Sequence, residues 1–275
     1  MLTQTKITEL TEKSREIRGN IIRMLGASAS GHPGGSLSAA DLLTYLYFHQ
    51  MRHDPKNPKW AERDRFVLSK GHAAPVLYAT LAEAGYFSKE DLVTLRKFGS
   101  HLQGHPDMKK TPGIDMSTGS LGQGLSSANG MALAARLNQY NNHIYVLLGD
   151  GEIEEGQVWE AAMTSAHYKL DNLTAFLDYN HLQIDGPVEN VKSMTGPMER
   201  FKAFGWHVIE ANGHDLESID RAVTEALNTK GKPTMVVLNT VKGKGVSFME
   251  NQASWHGTAP KPNEVEQALK ELGLS

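Results

Sequence analysis

An aspartate and an asparagine stand where two apolar runs of the sequence end. Asp150 lies between two glycines after the run Ile144–Leu148, and Asn180 follows the run Leu173–Leu177. If the two runs are neighbouring strands, a carboxylate and an amide oxygen meet at one edge of a sheet. Such oxygen ligands suit Mg²⁺ or Ca²⁺ rather than zinc, and Mg²⁺ usually shares its ligands with a phosphate. The pair suggests a phosphorylated cofactor held through a cation; a turn in which Asp150 caps the following helix is the alternative.

Four of the twelve histidines lie in turns framed by glycine or proline: His32 in GHPGG, His72 in KGH, His105 in GHP and His256 in WHG. Pro and Gly fix tight turns and bring the backbone close to other groups. An imidazole can donate to a phosphate or a hydroxyl and can move a proton near neutral pH. The four turns together indicate a shared site, although each alone is typical of a turn histidine without a role. The remaining histidines lack this frame, among them His49, His53, His143 and His214.

Two further glycine-rich segments are candidates for ligand contact. Residues 117–124 read STGSLGQG and lead into a helical pattern, so they could bind an anion at a helix N-terminus. They lack the Lys-Ser/Thr of a P-loop and the spacing of a dinucleotide fingerprint. Residues 242–245 read KGKG after a third apolar run. That segment is either a basic loop near a ligand or a solvated hairpin.

Composition excludes several classes of protein. The chain has 275 residues and a formal net charge of −3, from 28 basic and 31 acidic residues, so no basic excess indicates a nucleic-acid partner. It has no cysteine, which removes disulfides, thiolate metal sites and cysteine nucleophiles. No apolar run approaches the ~20 residues of a membrane span, and the polar N-terminus is not a signal peptide. We therefore expect a cytoplasmic protein without membrane contact, folded as a single domain over residues 1–275.

Short apolar runs separated by helical patterns must position these groups. Interior strands are predicted at Phe66–Ser69, Ile144–Leu148, Leu173–Leu177, Trp206–Glu210 and Met235–Leu238. Helices are predicted at Thr3–Leu25, Ser38–Gln50, Ala74–Ala84, Ser88–Phe98, Gly122–Tyr140, Glu155–Lys169, Leu216–Asn228 and Asn263–Leu272. Ser38 with Asp41, and Ser88 with Asp91, are predicted capping pairs. The alternation predicts an α/β fold, a doubly wound and mostly parallel sheet with helices on both faces. Ligands of such sheets lie beyond the carboxyl ends of the strands.

The motifs together resemble the transketolase family. The matching segments are GHPGG (31–35), DRFVLSKGHA (64–73), GHP (104–106), TGSLGQG (118–124), GDGEIEEGQ (149–157) and WHG (255–257), in the order of that family. The segment GDG with Asn180 also resembles the thiamin diphosphate motif. The resemblance implies the thiamin diphosphate-binding fold and covers only the family's N-terminal, diphosphate-binding domain. The pyrimidine-binding and C-terminal domains have no counterpart, so we expect the N-terminal subunit of a split transketolase.

The resemblance also implies roles for individual residues. Mg²⁺, or Ca²⁺ or Mn²⁺ in its place, would be held by the side chains of Asp150 and Asn180 and the backbone carbonyl of Leu182. Further contacts to thiamin diphosphate would come from His72, Gly119, Ser120, Leu121, Gly151 and His256. Sugar binding and proton transfer would fall to the catalytic histidines His32, His72, His105 and His256. Glu155 matches a family glutamate at the interface between active sites. Ser120 stands where the family often has proline, and Tyr179 where it often has Asp or Asn.

The implied activity is transfer of a two-carbon ketol unit from a ketose phosphate to an aldose phosphate, as in the pentose phosphate pathway. A separate C-terminal subunit would complete the enzyme in a two-plus-two heterotetramer, and the chain alone would have no turnover. An apolar face of this chain would bind the partner, and helix 122–136 could allow close approach. Three alternatives remain: a transketolase for a specialised sugar phosphate, an alpha-type subunit of a 2-oxoacid dehydrogenase, and a non-enzymatic cofactor-binding domain.

Overall fold

A parallel sheet forms the centre of the molecule. The computed structural model describes residues 1–193 and 196–274. Its strands are β1 (Arg65–Leu68), β2 (Ile144–Gly149), β3 (Leu173–Tyr179), β4 (Leu182–Gln183), β5 (Gly186–Pro187), β6 (His207–Asn212) and β7 (Thr234–Asn239). Five of them form a sheet in the order β1-β2-β3-β7-β6, in which every neighbouring pair is parallel. The short strands β4 and β5 form an antiparallel hairpin directly after β3.

Ten α-helices accompany the strands within the described residues. They are α1 (Gln4–Ser28), α2 (Pro33–Leu37), α3 (Ala40–Tyr45), α4 (Ala74–Glu83), α5 (Gln123–Leu137), α6 (Gly156–His167), α7 (Val188–Lys192), α8 (Pro197–Ala203), α9 (Leu216–Asn228) and α10 (Pro262–Glu271). The chain continues from α3 into a π-helical turn over Leu46–Gln50. No helix in the described part of the chain is long and apolar enough to cross a membrane.

Both faces of the sheet are covered by helices, as the sequence predicts. Successive strand side chains point to opposite faces, so Tyr145 and Phe176 pack with α1, α3, α4 and α9, whereas Val146 and Leu177 pack with α5, α6 and Phe201 of α8. The inner strands β2, β3 and β7 are mostly apolar because helices cover both faces of the sheet, whereas the edge strand β6 is partly exposed. This confirms the predicted doubly wound α/β architecture, and all five predicted strands are present within one or two residues of their predicted bounds.

The predicted caps are only partly correct. Thr3 caps α1 through a hydrogen bond from the Lys6 amide, which explains why the first helix begins where it does. The predicted capping pair of Ser38 and Asp41 is wrong. The chain is already helical from Pro33, and Ser38 itself has helical dihedral angles. Its hydroxyl donates instead to the carboxylate of Asp178, 2.6 Å away.

The predicted α-helix Ser88–Phe98 is also wrong in type and length. Ser88 does cap the segment by accepting from the Glu90 amide, but a 3₁₀-helix follows and ends at Thr94. Leu95 is extended and Arg96 has a positive φ of 60°, so the chain cannot continue as a helix. The buried Leu92 and Leu95 give the segment its apolar spacing, but the six residues of the 3₁₀-helix make only about two turns, too few for an α-helical pattern to be distinguished.

Candidate active site

A pocket of about 200 Å³ lies beyond the carboxyl ends of β2 and β3. Most of its lining residues come from the segments at the ends of these strands, and the others come from five distant segments. The lining residues include Gly35, Lys70, His72, Leu121, Asp150, Gly151, Glu152, Glu155, Asp178, Asn180, Leu182, Lys242 and His256. Parallel strands bring their following loops to one edge, which helps to explain why residues from seven parts of the sequence meet here.

Asp150 and Asn180 meet at this edge, as expected from neighbouring strands. Asp150 is 4% exposed, and its two carboxylate oxygens accept hydrogen bonds from the amides of Gly151 (2.8 Å) and His181 (2.6 Å). The His181 amide follows the adjacent strand, so Asp150 connects β2 to the end of β3. The alternative in which Asp150 caps a helix is not supported, because the helical turn at 152–154 begins after Gly151 without a side-chain cap.

The electrostatic environment of Asp150 disfavours its own charge. Burial, together with the nearby Asp178 carboxylate, raises the pKa of Asp150 to about 7, against the opposing effects of Lys242 and two backbone amides. A buried carboxylate with a raised pKa is a feature of functional sites, because a cation that binds there relieves the penalty. Asp150 therefore has the chemistry of a residue that is completed by a positive ligand.

Asp178, at the end of β3, organises the floor of the pocket and was not predicted from the sequence. Its carboxylate accepts from Ser38, Lys70, Thr240 and Asn180, the last at 3.3 Å. Burial alone would raise the pKa of Asp178, but the Lys70 ammonium group and these hydrogen bonds hold it below its usual value. Because Asp178 accepts from the Asn180 amide nitrogen, the Asn180 side-chain oxygen faces the Leu182 amide at 3.2 Å.

Lys242 extends into the same pocket and is 2% exposed, so the KGKG segment is not a solvated hairpin. Its ammonium group donates to the carbonyl oxygen of Leu182 (2.9 Å) and lies 3.0 Å from Nδ1 of His256. Burial lowers the pKa of Lys242 to about 8, while the carboxylate of Asp150 acts in the opposite direction. The sequence shows that this segment is basic, but only the structure shows that the side chain of Lys242 lies in the pocket.

Three of the four glycine-framed histidines form one cluster beside Lys242. Their ring centroids are 5.2 Å apart for His32 and His72, 5.5 Å for His32 and His256, and 5.0 Å for His72 and His256. Burial and the cations Lys70, Arg96 and Lys242 lower the pKa of His32 to about 4, that of His256 to about 3, and that of His72 well below its ordinary value. All three imidazoles are therefore neutral at pH 7, each with one donor and one acceptor nitrogen.

His105 lies at the edge of this cluster rather than inside it. It is exposed, yet burial of part of its ring and the charge of Arg96 lower its pKa. A Cβ atom placed on Gly119 would lie 3.2 Å from the His105 ring, so this turn and the TGSLGQG segment are in direct contact.

Two buried polar atoms near the pocket, Nδ1 of His32 and Oγ1 of Thr118, have no hydrogen-bond partner. Such orphaned atoms indicate groups that await a ligand or water.

The TGSLGQG segment is held against the pocket by close backbone packing. A Cβ atom on Gly71 would lie 2.7 Å from the amide nitrogen of Gly119, so only glycine allows this approach. Leu121 lines the pocket, whereas the side chain of Ser120 is exposed and points no group into it. The departure from proline at position 120 therefore alters no side chain that lines the pocket.

Glu152, another residue that was not predicted, joins three of the loops. It is 2% exposed and accepts from the hydroxyl of Ser69 and from the amides of Gly122 (2.9 Å) and Gly149 (3.0 Å). Burial raises the pKa of Glu152, although these three hydrogen bonds oppose the shift.

Glu155, which the sequence predicts at an interface, is exposed at the rim of the pocket.

The donor set fits a hard cation that also has ligands from outside the protein. No cluster of three or more His, Asp or Glu side chains in the described residues could hold a metal by itself. The carboxylate of Asp150, the amide oxygen of Asn180 and the backbone carbonyl of Leu182 nevertheless belong to residues that line the same pocket. The ammonium group of Lys242 donates a hydrogen bond to that carbonyl. Oxygen ligands that leave positions open are those of Mg²⁺ bound with a phosphorylated group.

Comparisons with known proteins show the family of this chain. Residues 12–275 match the family model described as transketolase, thiamine diphosphate binding domain. The chain is 47% identical to the 6-deoxy-6-sulfo-D-fructose transketolase subunit SqwG of Clostridium sp. (strain MSTE9), with 96% of each chain covered. It is 45% identical to an apulose-4-phosphate transketolase subunit of Phocaeicola vulgatus, with 97% of this chain and 95% of that protein covered.

Longer relatives match over part of their length. Human transketolase is 43% identical over 98% of this chain but only 43% of the human protein. The crystal structure of transketolase from Campylobacter jejuni superposes with a TM-score of 0.93 at 36% identity, covering 100% of this chain and 44% of that one. The chain thus spans about two fifths of the single-chain transketolases that it matches.

The fold and the pocket at its strand ends define a thiamin diphosphate-binding α/β domain. The chain belongs to the transketolase family and corresponds to a transketolase N-terminal subunit. The alternative of a 2-oxoacid dehydrogenase subunit is not favoured.

Proposed function

We propose that this chain is the diphosphate-binding subunit of a transketolase that transfers a two-carbon ketol unit between sugar phosphates together with a second subunit. One observation carries the proposal. Asp150, Asn180 and Leu182 line a single pocket with His72 and His256, and the ring of His32 packs against both of these imidazoles. A cation site for a diphosphate and a set of proton donors and acceptors are the two components that such chemistry requires of the protein.

The acidic edge of the pocket would hold the cofactor. Asp150, Asn180 and the carbonyl of Leu182 would hold Mg²⁺, while the backbone of Gly151 and the ammonium of Lys242 would meet the diphosphate. Thiamin diphosphate, when bound, supplies the chemistry that cleaves the ketose carbon–carbon bond and retains the two-carbon unit. The TGSLGQG segment, through Gly119, Ser120 and Leu121, would contact the remainder of the cofactor.

The histidines would move protons on the sugar. His32, His72 and His256 are neutral at pH 7, so each can accept a proton from a hydroxyl at one nitrogen and donate from the other. His105 would act at the entrance, where it is exposed. Because the imidazoles carry no charge, the positive charge next to the expected diphosphate position is that of the Lys242 ammonium group.

A second subunit would supply the missing wall of the site. The pocket encloses about 200 Å³, less than the roughly 300–1,000 Å³ that usually surrounds a ligand of this size. Two full-length relatives are named as subunits. By analogy, we infer a C-terminal partner chain that carries the pyrimidine-binding domain, and a two-plus-two heterotetramer in which Glu155 faces a neighbouring active site.

The outward face of α5 is the surface that we assign to this partner. Of the exposed positions on α5, Gln123, Gly130, Ala134 and Leu137 carry no charge, and Leu137 is 84% exposed. The one charged side chain of α5, Arg136, pairs with Asp171 of this chain. Met163 on the adjacent α6 is 52% exposed. Beyond the neighbouring backbone of α5, no described residue lies within 4 Å of a Cβ atom placed on Gly130, so another chain can approach closely there. Exposed apolar surface of this kind typically marks a protein interface.

The activity is tested by reconstitution. The chain alone, a candidate partner subunit alone and their mixture are assayed with a ketose phosphate donor, an aldose phosphate acceptor, thiamin diphosphate and Mg²⁺. We expect turnover only in the mixture. Ketol transfer by the chain alone would contradict the two-subunit proposal, and pyruvate decarboxylation by the mixture would contradict the reaction class.

A specialised sugar, either a sugar phosphate or a sulfonated sugar, is the second candidate substrate. Two relatives with high identity over their full length are named for 6-deoxy-6-sulfo-D-fructose and apulose-4-phosphate. The reconstituted enzyme is therefore tested with these two donors beside xylulose 5-phosphate. The highest kcat/KM identifies the natural class, and a preference for xylulose 5-phosphate would exclude the specialised substrate.

A further inference from the structure

The segment that carries Lys242 is held from outside the pocket by residues that no comparison assigns. We call Val241–Gly245 the Lys242 loop. Two of its glycines, Gly243 and Gly245, have positive φ angles of 80° and 95°, which shows that the backbone makes unusual turns here. A glycine-rich loop of this kind has many accessible conformations when it is unconstrained. The position of Lys242 therefore depends on what fixes the backbone on either side of it.

His214 fixes the loop immediately before Lys242. Its Nε2 accepts a hydrogen bond from the Val241 backbone amide at 2.8 Å, and its Nδ1 lies 2.8 Å from Oδ2 of Asp41. A backbone amide can only donate, so Nε2 must be the unprotonated nitrogen. Nδ1 then carries the proton and donates it to Asp41. These contacts define a single tautomer of a neutral imidazole, and the hydrogen bond to the Asp41 carboxylate sets the orientation of the ring.

Arg18 fixes the loop two residues after Lys242. Its Nε donates to the carbonyl of Lys244 at 3.1 Å, while its Nη2 pairs with Oδ2 of Asp41 at 2.6 Å. Asp41 thus orients both His214 and Arg18, which bind the loop on either side of Lys242. Burial by itself would raise the pKa of Asp41, but Arg18 and His214 hold it well below its ordinary value. The carboxylate is therefore charged whenever the loop is held.

We propose that His214 is a positioning residue that, with Asp41 and Arg18, holds the Lys242 loop so that the Lys242 ammonium stays in the pocket. The proposal rests on the proposed function for its effect on cofactor, but not for its effect on the loop. His214 does not line the pocket, and its ring hydrogen bonds within the described residues go to Asp41 and to the Val241 amide, so its influence on Lys242 passes through that amide.

The test compares three variants of the full chain. His214→Leu removes both hydrogen bonds. His214→Gln places an amide oxygen near the position of Nε2 and retains an acceptor for Val241. Tyr45→Phe is the matched control, because it removes a buried hydrogen bond between α3 and α9, from Tyr45 to Asp220 at 2.9 Å, without contact to the loop. Unfolding midpoints establish that each variant is folded and how much stability it loses.

Two measurements follow on each folded variant. Deuterium uptake by peptides that contain residues 240–246 reports on the loop, and titration of the chain with thiamin diphosphate and Mg²⁺ in complex with its partner reports on the site. We expect His214→Leu to exchange on the order of tenfold faster in this segment and to bind the cofactor on the order of tenfold more weakly. His214→Gln should recover most of both properties, and Tyr45→Phe should change neither.

Unchanged exchange in His214→Leu, or an equal increase in Tyr45→Phe, would overturn the proposal. Faster exchange with unaltered cofactor affinity would overturn the link to Lys242. If the unmodified complex does not bind thiamin diphosphate at all, the proposed function fails, while the exchange data still decide whether His214 holds the loop. If His214→Leu does not fold, His214→Asn takes its place, because its shorter amide can reach Asp41 but not the Val241 amide, and unchanged loop exchange in that variant would overturn the proposal.

Discussion

The ammonium group of Lys242 lies 2.9 Å from the carbonyl oxygen of Leu182, the backbone oxygen expected to bind Mg²⁺. A protein cation therefore lies against one of the proposed metal ligands, next to the buried carboxylate of Asp150. A metal ion and this ammonium cannot share the same oxygen without repulsion. Binding of the metal and the diphosphate together should move Lys242 from the carbonyl to a phosphate oxygen.

Replacement of Lys242 by methionine separates these two effects. Lys242→Met leaves the Leu182 carbonyl free for the metal but removes a positive charge from the diphosphate. We expect affinity for Mg²⁺ alone to be retained or increased, and affinity for thiamin diphosphate to fall on the order of tenfold, as for a lost charged hydrogen bond. Calorimetry on the complex with its partner measures both. Lys244→Met, two residues away and partly exposed, is the control, and equal losses for both ligands in Lys242→Met would contradict the account.

The histidine cluster predicts how stability depends on pH. The pKa of His32 falls to about 4 and that of His256 to about 3 in the folded chain, below the ordinary 6.5. The unfolded chain therefore binds more protons than the folded chain between these values, and the folded state loses stability as the pH falls from about 6.5 toward 4. Above pH 6.5 these histidines are neutral in both the folded and the unfolded state, so they do not contribute to the pH dependence of the free energy of unfolding.

Urea unfolding of His256→Gln at pH 7.5 and pH 5 checks this prediction. The free energy of unfolding should fall less between the two pH values in the variant than in the original chain. His207→Gln serves as control, because His207 is half-exposed and pairs with Glu225 at the far side of the sheet. The same pH slope in His256→Gln and in the original chain would show that His256 is not neutral in the folded state.

We expect Glu152 to stabilise the folded state although it lines the pocket. In Glu152→Gln, the side-chain oxygen can retain Ser69 and Gly122, but its NH₂ group then faces the amide of Gly149. A buried donor without an acceptor costs roughly 1–3 kcal/mol. We expect the free energy of unfolding to fall by about this amount in urea titrations, with no such loss for Glu160→Gln at an exposed position of α6. An unaltered midpoint in Glu152→Gln would mean that the three loops are held by other contacts.

The sheet and the meeting of Asp150 with Asn180 at one edge could be predicted from the sequence for a simple physical reason. Apolar runs without alternation specify buried parallel strands, and parallel strands bring their following residues, such as Asp150 and Asn180, to one edge. Local patterns could not identify the buried pair of Lys70 and Asp178, or the contact of His214 with Asp41, because 108 and 173 residues separate these partners. The sequence predicts Ser38 as a cap because its actual partner, Asp178, lies 140 residues away.

The face of α5 gives a test of assembly that is independent of catalysis. Gly130→Glu adds a charged side chain where no described residue beyond the neighbouring backbone of α5 lies within 4 Å of the added Cβ atom, and glutamate favours a helix more than glycine does. The chain should therefore fold at least as well as before but lose its affinity for the partner, measured by gel filtration of the mixture. Thr8→Glu on the exposed side of α1 is the control. Co-elution of Gly130→Glu with the partner at full yield would place the interface elsewhere.

The central claim is that the strand-end pocket binds thiamin diphosphate through a metal held by Asp150. It is tested most directly by titrating thiamin diphosphate into the two-subunit complex with and without Mg²⁺, for the original chain and for Asp150→Asn. The exposed Asp185→Asn is the charge-matched control. We predict saturable binding that requires Mg²⁺, is weakened at least tenfold in Asp150→Asn and is unchanged in Asp185→Asn. Binding of equal affinity in Asp150→Asn, or binding that is indifferent to Mg²⁺, would contradict the account.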